Sequence, residues 1–272
     1  MTKANDIPHM GFGTWQRSGQ ECIDRVKDAL EIGYRHIDTA RMYENEIEVG
    51  QAIQESAVPR DQVFLTTKVW HDALGDGQVM ASTQGSLKRL GLDYVDLLLI
   101  HWPAPNDAIP VARYVTELAE VKAAGLARHI GVSNFNRRQI DEAVAAIGAY
   151  QIATNQVELN VFFQNRPIAE HCRDHGIPMT AYIPLAKGDV SGDTVLSDIA
   201  ATHGATPAQI ALAFLLHEGH IAIPSSSRRA RLEENFAACD IALSEGEMTR
   251  LRGLDTGGRR VDPDWGPVWD QP

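Results

Sequence analysis

The sequence predicts a single (β/α)₈ barrel, in which eight parallel strands form a ring inside a layer of helices. Short apolar runs alternate with longer amphipathic stretches along the whole 272-residue chain, which is typical of parallel α/β folds. About 250 residues is a usual length for such a barrel, and the number of candidate strands favours a closed ring over an open doubly wound sheet. No linker divides the chain, so we expect residues 1–272 to form one domain.

Eight apolar segments are predicted to be the strands, and the eighth has the weakest pattern. In chain order they are Arg35–Asp38, Val63–Lys68, Val95–His101, His129–Ser133, Thr154–Val157, Pro178–Tyr182, Ile221–Pro224 and Phe236–Cys239. Residues 7–14 precede the first helix, and we expect them to form a short extended strand that plugs the barrel floor. Residues 259–272 are rich in Gly, Pro and Asp and are predicted to form a C-terminal loop.

Helices are predicted where apolar residues recur with the helical period. One such face is made by Cys22, Ile23, Val26, Ala29 and Leu30, and another by Val111, Tyr114, Val115, Leu118 and Val121. Thr206 and Pro207 are expected to start the helix before the seventh strand, because a hydroxyl cap followed by proline suits a first turn.

The composition narrows the classes of partner. The formal net charge is −11, and phosphate binding needs clustered Lys and Arg, so no nucleic-acid surface is expected. The three cysteines, Cys22, Cys172 and Cys239, lack C-x-x-C spacing and leave an odd count, which argues against a disulfide framework. No apolar run approaches about 18 residues, and the N-terminus lacks the apolar core of a signal peptide. We therefore expect a cytoplasmic monomer that binds neither membranes nor nucleic acids.

Polar residues stand at the ends of the predicted strands. In a parallel barrel the working face is built from the carboxyl ends of the strands and the loops that follow them. The residues at those positions are Asp38, Lys68, His101, Ser133, Asn134, Gln156, Tyr182, Ser225 and Ser226. We therefore expect these side chains to meet at one rim of the barrel.

Four residues near that rim can protonate a carbonyl oxygen. A free tyrosine titrates near pH 10 and is a weak acid at neutral pH. The Lys68 ammonium would lower the pKa of Tyr43, and Asp38 would keep Lys68 charged and in position. Tyr43 then becomes a general acid, while His101 donates a hydrogen bond that orients the substrate oxygen. The reductant must be a hydride, because the sequence has no metal or flavin signature. These residues predict a carbonyl-reducing enzyme.

Several longer segments carry a family resemblance. GYRHIDTARMYENE, GSLKRLGLDYVDLLLIHWP, GVSNF, NQVELN and IPSSSRRARLEENF resemble the signature segments of the aldo-keto reductases, over about residues 7–265. Within that family, IATNQVELN, IPSS and the short tail are most similar to bacterial 2,5-diketo-D-gluconate reductases of the B type, which also reduce methylglyoxal and other small carbonyls with NADPH. The resemblance implies a catalytic tetrad of Asp38, Tyr43, Lys68 and His101, with Tyr43 as the acid.

The resemblance also implies a cofactor site and a substrate wall. It implies that Ser133, Asn134 and Gln156 hold the nicotinamide carboxamide and that Tyr182 stacks on the ring. The full set of implied cofactor-binding residues is Thr14, Asp38, Ser133, Asn134, Gln156, Tyr182, Leu185, Ser225, Ser226, Arg231, Glu234 and Asn235. Trp15, Trp70 and Trp102 match positions that wall the substrate pocket.

Three positions depart from the family pattern. Many relatives have a lysine at the position of Ser225, and that lysine pairs with the 2′-phosphate. In its absence we expect Arg231 to make a forked contact with the phosphate. We therefore expect NADPH to be preferred, with NADH possible. Glu44 replaces a common glycine after the catalytic tyrosine and would raise the pKa of Tyr43 if it pointed inward. Ile183 replaces a common serine and removes one hydroxyl contact.

Two other functions stay open on the residues alone. One is a non-catalytic subunit that senses nicotinamide nucleotides on the same barrel. The other is a lyase or aldolase in which Lys68 forms a Schiff base. The neighbouring Asp38 argues against the second function, because a paired lysine stays protonated.

Two motifs are discounted. Gly11-Phe12-Gly13 lacks the third glycine and the βαβ unit of a dinucleotide fingerprint. His171 and His175 stand four residues apart on a predicted helix, a spacing that can hold zinc. The sequence shows no third ligand, so we expect two surface histidines and no metal.

Overall fold

The computed structural model describes residues 7–270, and at its centre lies one sheet of eight parallel strands. The strands are β1 (Gly11–Gly13), β2 (His36–Asp38), β3 (Phe64–Val69), β4 (Val95–Ile100), β5 (Ala127–Ser133), β6 (Ile152–Glu158), β7 (Met179–Tyr182) and β8 (Ile221–Ala222). Residues 1–6 and the end of the predicted C-terminal loop, 271–272, lie outside the described residues.

The strands follow one another around the ring in chain order. Each neighbouring pair from β1 to β8 is parallel. The ring closes where Met10 bridges Ala222, with the Ala222 N–H donating to the His9 carbonyl at 2.8 Å. Gly13 continues this seam, and a Cβ at Gly13 would lie only 2.9 Å from the carbonyl oxygen of Ile223. The predicted (β/α)₈ barrel is confirmed.

The predicted strand at Phe236–Cys239 is wrong. A helix spans Arg229–Phe236 and a 3₁₀ helix spans Ala237–Asp240. The Phe236 ring packs on Tyr34 in the loop before β2, with ring centroids 4.8 Å apart, so Phe236 lies outside the sheet. The strand that completes the ring of eight is instead β1, Gly11–Gly13, which comes from the segment expected to plug the barrel floor.

The interior of the barrel follows from strand register. Thr66 and Lys68 of β3 pair with Leu97 and Leu99 of β4, so these four residues face the same side of the sheet. Leu97 and Leu99 pack with Ile7 in a small buried cluster. Ile7 therefore fills the floor of the barrel, as expected for this segment, while Lys68 points from the same face at the opposite rim.

Helices cover the outside of the ring. They are α1 (Gly19–Ile32), α2 (Glu46–Glu55), α3 (Gln78–Leu90), α4 (Val111–Ala123), α5 (Arg137–Ile147), α6 (Arg166–Asp174), α7 (Thr194–His203), α8 (Pro207–His217), α9 (Arg229–Phe236) and α10 (Glu245–Arg252). The predicted apolar faces of α1 and α4 are buried throughout. Thr206 caps α8 as predicted, accepting from the backbone N–H of Gln209, and Pro207 opens its first turn.

Within residues 7–270, no helix on its own has the length and apolar character needed to cross a membrane. Only the bent pair α7 and α8, which meet at 89°, passes that test together, by length and composition alone.

Candidate active site

Lys68 lies at the centre of the rim formed by the strand ends. Its side chain is fully buried. Nζ donates to Asp38 Oδ1 at 2.5 Å, to the Thr39 carbonyl at 2.9 Å and to Tyr43 Oη at 3.1 Å. An ammonium group has three N–H donors, and each has an acceptor here. The cation is therefore buried without an unsatisfied donor, which is the condition for a stable buried ion pair.

Tyr43 reaches Lys68 from a short 3₁₀ helix, Arg41–Tyr43, that follows β2. Glu44 ends this turn in the left-handed region at φ 57°, a conformation that glycine adopts without strain. This explains why glycine is common at the position in the family. The Glu44 side chain is exposed, so solvent mutes any effect of its charge on the phenol.

The ionisation of Tyr43 differs from the sequence-based expectation. Although part of the ring faces a cavity, burial raises the pKa of Tyr43, and the Lys68 ammonium opposes that rise without overcoming it. The expected net lowering is therefore wrong for this chain by itself. Burial also acts to lower the pKa of Lys68, but the Asp38 carboxylate and Tyr43 together raise it above its ordinary value. A protonated phenol thus stands beside a cation that can stabilise the phenolate.

His101 completes the tetrad from the loop after β4. Burial, and then the charges of Lys68 and His71, hold the pKa of His101 well below its ordinary value. The imidazole is therefore neutral at pH 7. Its ring lies edge-on to Tyr43, with centroids 5.7 Å apart, and edge-on to Trp70 at 5.0 Å. Among residues 7–270, Nδ1 has no hydrogen-bond partner. A neutral imidazole carries one N–H that it can donate.

Amide and hydroxyl groups from β5, β6 and β7 form a second cluster beside the tetrad. Gln156 Nε2 donates to Asp38 Oδ2 at 2.7 Å, and Ser133 Oγ donates to the Gln156 carbonyl at 2.7 Å. Tyr182 Oη donates to Asn134 Oδ1 at 2.7 Å. Asn134 has a left-handed backbone, at φ 62°. These bonds fix each group at the rim where the sequence placed it.

The first strand is also tied to Asp38. Thr14 donates to the Asp38 carbonyl through both its backbone N–H, at 2.9 Å, and its hydroxyl, at 3.1 Å. Thr14 is fully buried, so its role in this structure is to hold the end of β2, which carries Asp38.

One cavity of about 840 Å³ joins these groups. Its wall includes members of the tetrad and most of the implied cofactor-binding residues. They are Asp38, Tyr43, His101, Asn134, Gln156, Tyr182, Leu185, Ser225, Ser226, Arg231 and Asn235, together with Trp15, Trp102 and Ile183. A volume of this size is in the range of small-molecule and cofactor sites.

Arg231 also lines the cavity. It pairs with Glu234 at 2.7 Å, and Glu234 also accepts a hydrogen bond from Thr206 at 2.7 Å. Glu234 is not in the cavity wall and instead positions the arginine. Arg229 pairs with three carboxylates away from the cavity, so it is not available there.

Tryptophans surround the mouth next to the tetrad. Trp15 packs on Tyr43 with ring centroids 4.9 Å apart, and Trp102 lines the cavity. The C-terminal loop adds Trp265, which lies 5.9 Å from Trp70 and 5.1 Å from Trp102 between ring centroids. Of the three tryptophans predicted for this wall, Trp15 and Trp102 line the cavity, whereas Trp70 is not in its lining and packs edge-on to His101. Trp265 was not predicted there.

Glu158 anchors the C-terminal loop and was not predicted as a site residue. It is fully buried at the end of β6. Its carboxylate accepts from the backbone N–H of Arg260 at 2.9 Å and of Val261 at 2.7 Å. Val261 lines the cavity. The position of Glu158 two residues after Gln156 on the same strand is the only signal that the sequence offers.

Comparison with known proteins agrees with this geometry. The aldo/keto reductase family matches residues 9–256. Methylglyoxal reductase DkgB of Salmonella typhimurium is 46% identical over 265 residues, which cover 97% of this chain and 99% of that protein. The 9,11-endoperoxide prostaglandin H2 reductase of Trypanosoma cruzi is 40% identical and covers 95% of this chain and 92% of its own length.

Solved structures lead to the same assignment. A crystal structure provisionally assigned as a 2,5-diketo-D-gluconic acid reductase B superposes with a TM-score of 0.94 at 44% identity, over 98% of this chain and 95% of the other. The aldose reductase of Schistosoma japonicum gives 0.89 at 34% identity, over 94% and 91%. With the tetrad at the rim of its barrel, this chain belongs to the aldo/keto reductase family of nicotinamide-dependent oxidoreductases.

Proposed function

We propose that this protein uses NADPH to reduce an aldehyde or ketone group of a small dicarbonyl compound or keto sugar, with Tyr43 as the proton donor. The observation that carries the proposal is the chain of contacts from Tyr43 Oη to Lys68 Nζ at 3.1 Å and on to Asp38 at 2.5 Å. Tyr43 and His101 both line the cavity, so a carbonyl oxygen placed there can reach both groups.

The wall of the cavity fits a nicotinamide nucleotide. Tyr182 lines it, and its hydroxyl is tied to Asn134, so the ring is held in place and can cover a planar heterocycle. Asn134 and Gln156 offer amide groups, which pair well with a carboxamide. A reduced nicotinamide held by these residues supplies the hydride. Ser225, Ser226 and Arg231 line the same cavity and offer hydroxyl and guanidinium donors to a phosphate-bearing end.

Side chains of the tetrad supply the proton and stabilise the charge that remains after its transfer. A carbonyl oxygen becomes more basic as its carbon is reduced, and Tyr43 Oη then donates its proton. The Lys68 ammonium stabilises the resulting phenolate, which lowers the barrier to transfer. The neutral His101 donates a hydrogen bond that orients the same oxygen. Lys68 does not serve as a Schiff-base amine here, because it is fully buried, paired with Asp38 and protonated.

Arg231 supports the choice of NADPH over NADH. Its guanidinium lines the cavity and is nearly half-exposed, so it can turn from Glu234 toward a 2′-phosphate and bind it through two N–H groups. The names of the relatives support small dicarbonyl compounds and keto sugars as substrates. We also propose that the protein is a monomer and works in the cytoplasm.

A substrate panel tests the proposal. Methylglyoxal, 2,5-diketo-D-gluconate and simple aldehydes are incubated with NADPH or NADH, and the absorbance of the reduced nicotinamide is followed. We expect oxidation of NADPH with at least one dicarbonyl or keto sugar. Tyr43→Phe should lower turnover by roughly 10²–10⁴, the usual contribution of a general acid, with cofactor affinity nearly unchanged. Full turnover in Tyr43→Phe would exclude the assigned role.

A further inference from the structure

Three side chains on the outside of the barrel converge on one point. Asp141 belongs to α5 and His171 to α6, and His175 is the C-cap residue directly after α6. His171 Nε2 lies 2.8 Å from Asp141 Oδ1, and His175 Nε2 lies 3.1 Å from the same oxygen. The sequence analysis found no third ligand for the two histidines. The structure supplies the third group, Asp141, which precedes His171 by 30 positions and His175 by 34.

The arrangement has the geometry of a metal site. His175 follows His171 by about one helical turn, so both rings leave the same side of α6. One ligand atom from each of the three residues lies within 4.8 Å of the others. A tetrahedral ion bound about 2.0–2.2 Å from each ligand needs ligand atoms about 3.4 Å apart. Small rotations of the two rings and the carboxylate are enough to reach that spacing.

The surroundings leave room for an ion and its water. The side chains are 23% exposed for His171, 29% for His175 and 56% for Asp141. An ion can therefore enter from solvent, and a water molecule can complete the coordination. None of the three residues lines the active-site cavity, so this site is separate from the proposed reaction.

We infer that Asp141, His171 and His175 form a binding site for a divalent first-row transition metal ion such as Zn²⁺. Two imidazole nitrogens and one carboxylate favour Zn²⁺, Co²⁺ or Ni²⁺ over Mg²⁺ and Ca²⁺, which prefer oxygen ligands. A bound ion would join α5 to α6. It would therefore stabilise the folded chain, by an amount that grows with the logarithm of the ratio of free ion concentration to Kd.

Calorimetric titration of the full-length, chelator-treated protein with Zn²⁺ tests the inference. We expect one ion per chain. His171→Ala, His175→Ala and Asp141→Asn should each weaken binding at least about tenfold, since even groups that only support a metal ligand change affinity by about 10–100-fold. His203→Ala is the matched control, because His203 forms a similar surface pair with Glu247 at 2.8 Å. It should bind Zn²⁺ as the unchanged protein does.

Two further measurements separate loss of the site from loss of the fold. Co²⁺ should give the visible absorption of a nitrogen- and oxygen-ligated ion in the unchanged protein and in His203→Ala, and not in the three site variants. Each variant should keep the metal-free melting temperature of the parent, while Zn²⁺ raises that of the parent and of His203→Ala. Absence of saturable Zn²⁺ binding, or equal affinity in His171→Ala and the parent, would show that these groups form only a hydrogen-bonded cluster.

Discussion

Gln156 and Asp38 lie 118 positions apart in the chain and are joined by a hydrogen bond of 2.7 Å from Nε2 to Oδ2. The other oxygen of Asp38 accepts from Lys68. Both oxygens of the carboxylate are therefore occupied, one by the proposed proton-transfer group and one by the proposed cofactor-binding group. The two halves of the site share one buried anion.

Gln156→Leu should lower the free energy of unfolding by about 2 kcal/mol, because it removes a buried hydrogen bond to a charged group. Thr154→Val is the control on the same strand. It removes a buried neutral hydrogen bond, between the Thr154 and Thr180 hydroxyl groups at 2.8 Å, and should cost only about 1 kcal/mol. Urea denaturation measures both changes. Equal losses would mean that the charge of Asp38 adds nothing to the Gln156 bond.

Lys68→Met should destabilise the protein by about 3–5 kcal/mol, because it leaves the Asp38 carboxylate buried without its cation. Adding Asp38→Asn to that variant removes the buried charge and should recover part of the stability. Carbonyl reduction should stay lost in both variants, since neither has the ammonium that stabilises the phenolate. A double variant no more stable than Lys68→Met would contradict the buried ion pair.

The pH dependence of turnover should follow Tyr43. Burial raises the pKa of Tyr43, against the opposing effect of Lys68, and the protonated phenol is the active form for reduction. Turnover should therefore stay level through neutral pH and fall only when the pH rises past the ordinary tyrosine value of about 10. His101 stays neutral across that range because its pKa is lowered. Steady-state rates over a pH series, with cofactor saturating, check this; a decline near neutrality would oppose it.

Arg231→Ala should weaken NADPH much more than NADH, because only NADPH carries the 2′-phosphate that a guanidinium can bind in two places. Arg229→Ala gives a matched control on the same helix, since Arg229 pairs with Asp28, Glu31 and Glu233 outside the cavity. Fluorescence titration with each cofactor gives the affinities. Similar losses for NADPH and NADH in Arg231→Ala would place the phosphate contact elsewhere.

Glu158→Gln should loosen the C-terminal loop, because it replaces the charged acceptor of the Arg260 and Val261 backbone N–H groups by a neutral amide, and hydrogen bonds to a charged acceptor are the stronger ones. The KM for the carbonyl substrate should rise with little change in cofactor affinity, and the loop after Gly257 should be cut faster by protease. Glu245→Gln, at an exposed position, should change neither quantity. Unchanged cleavage in Glu158→Gln would remove the anchoring role.

Much of the site was predictable because strand ends in a parallel barrel share one rim. From the sequence alone, that rule predicts that Asp38, Lys68 and His101 lie together. Residues 7–14 were predicted to be extended, but Gly11–Gly13 was not assigned to the ring, because two glycines in three residues lack the pattern of a buried barrel strand. The apolar residues near Phe236 fit a helix end as well as a strand, which is why they were assigned wrongly.

Other features depended on contacts between distant parts of the chain. Glu158 meets the loop after residue 259 across 102 positions, and Asp141 meets His171 from another helix, so no local period reveals either contact. The net pKa shift of Tyr43 was also missed. Its sign depends on how deeply the phenol is buried, which the whole fold sets.

A chain that ended before β8 would leave the ring open between β7 and β1. β8 contributes only Ile221 and Ala222 to the ring, yet these residues cover the free side of both β1 and β7. A polypeptide truncated before Ile221 would expose two rows of unpaired backbone groups, and such edges promote pairing with other molecules and aggregation. Two residues late in the sequence thereby protect the first strand from intermolecular strand addition.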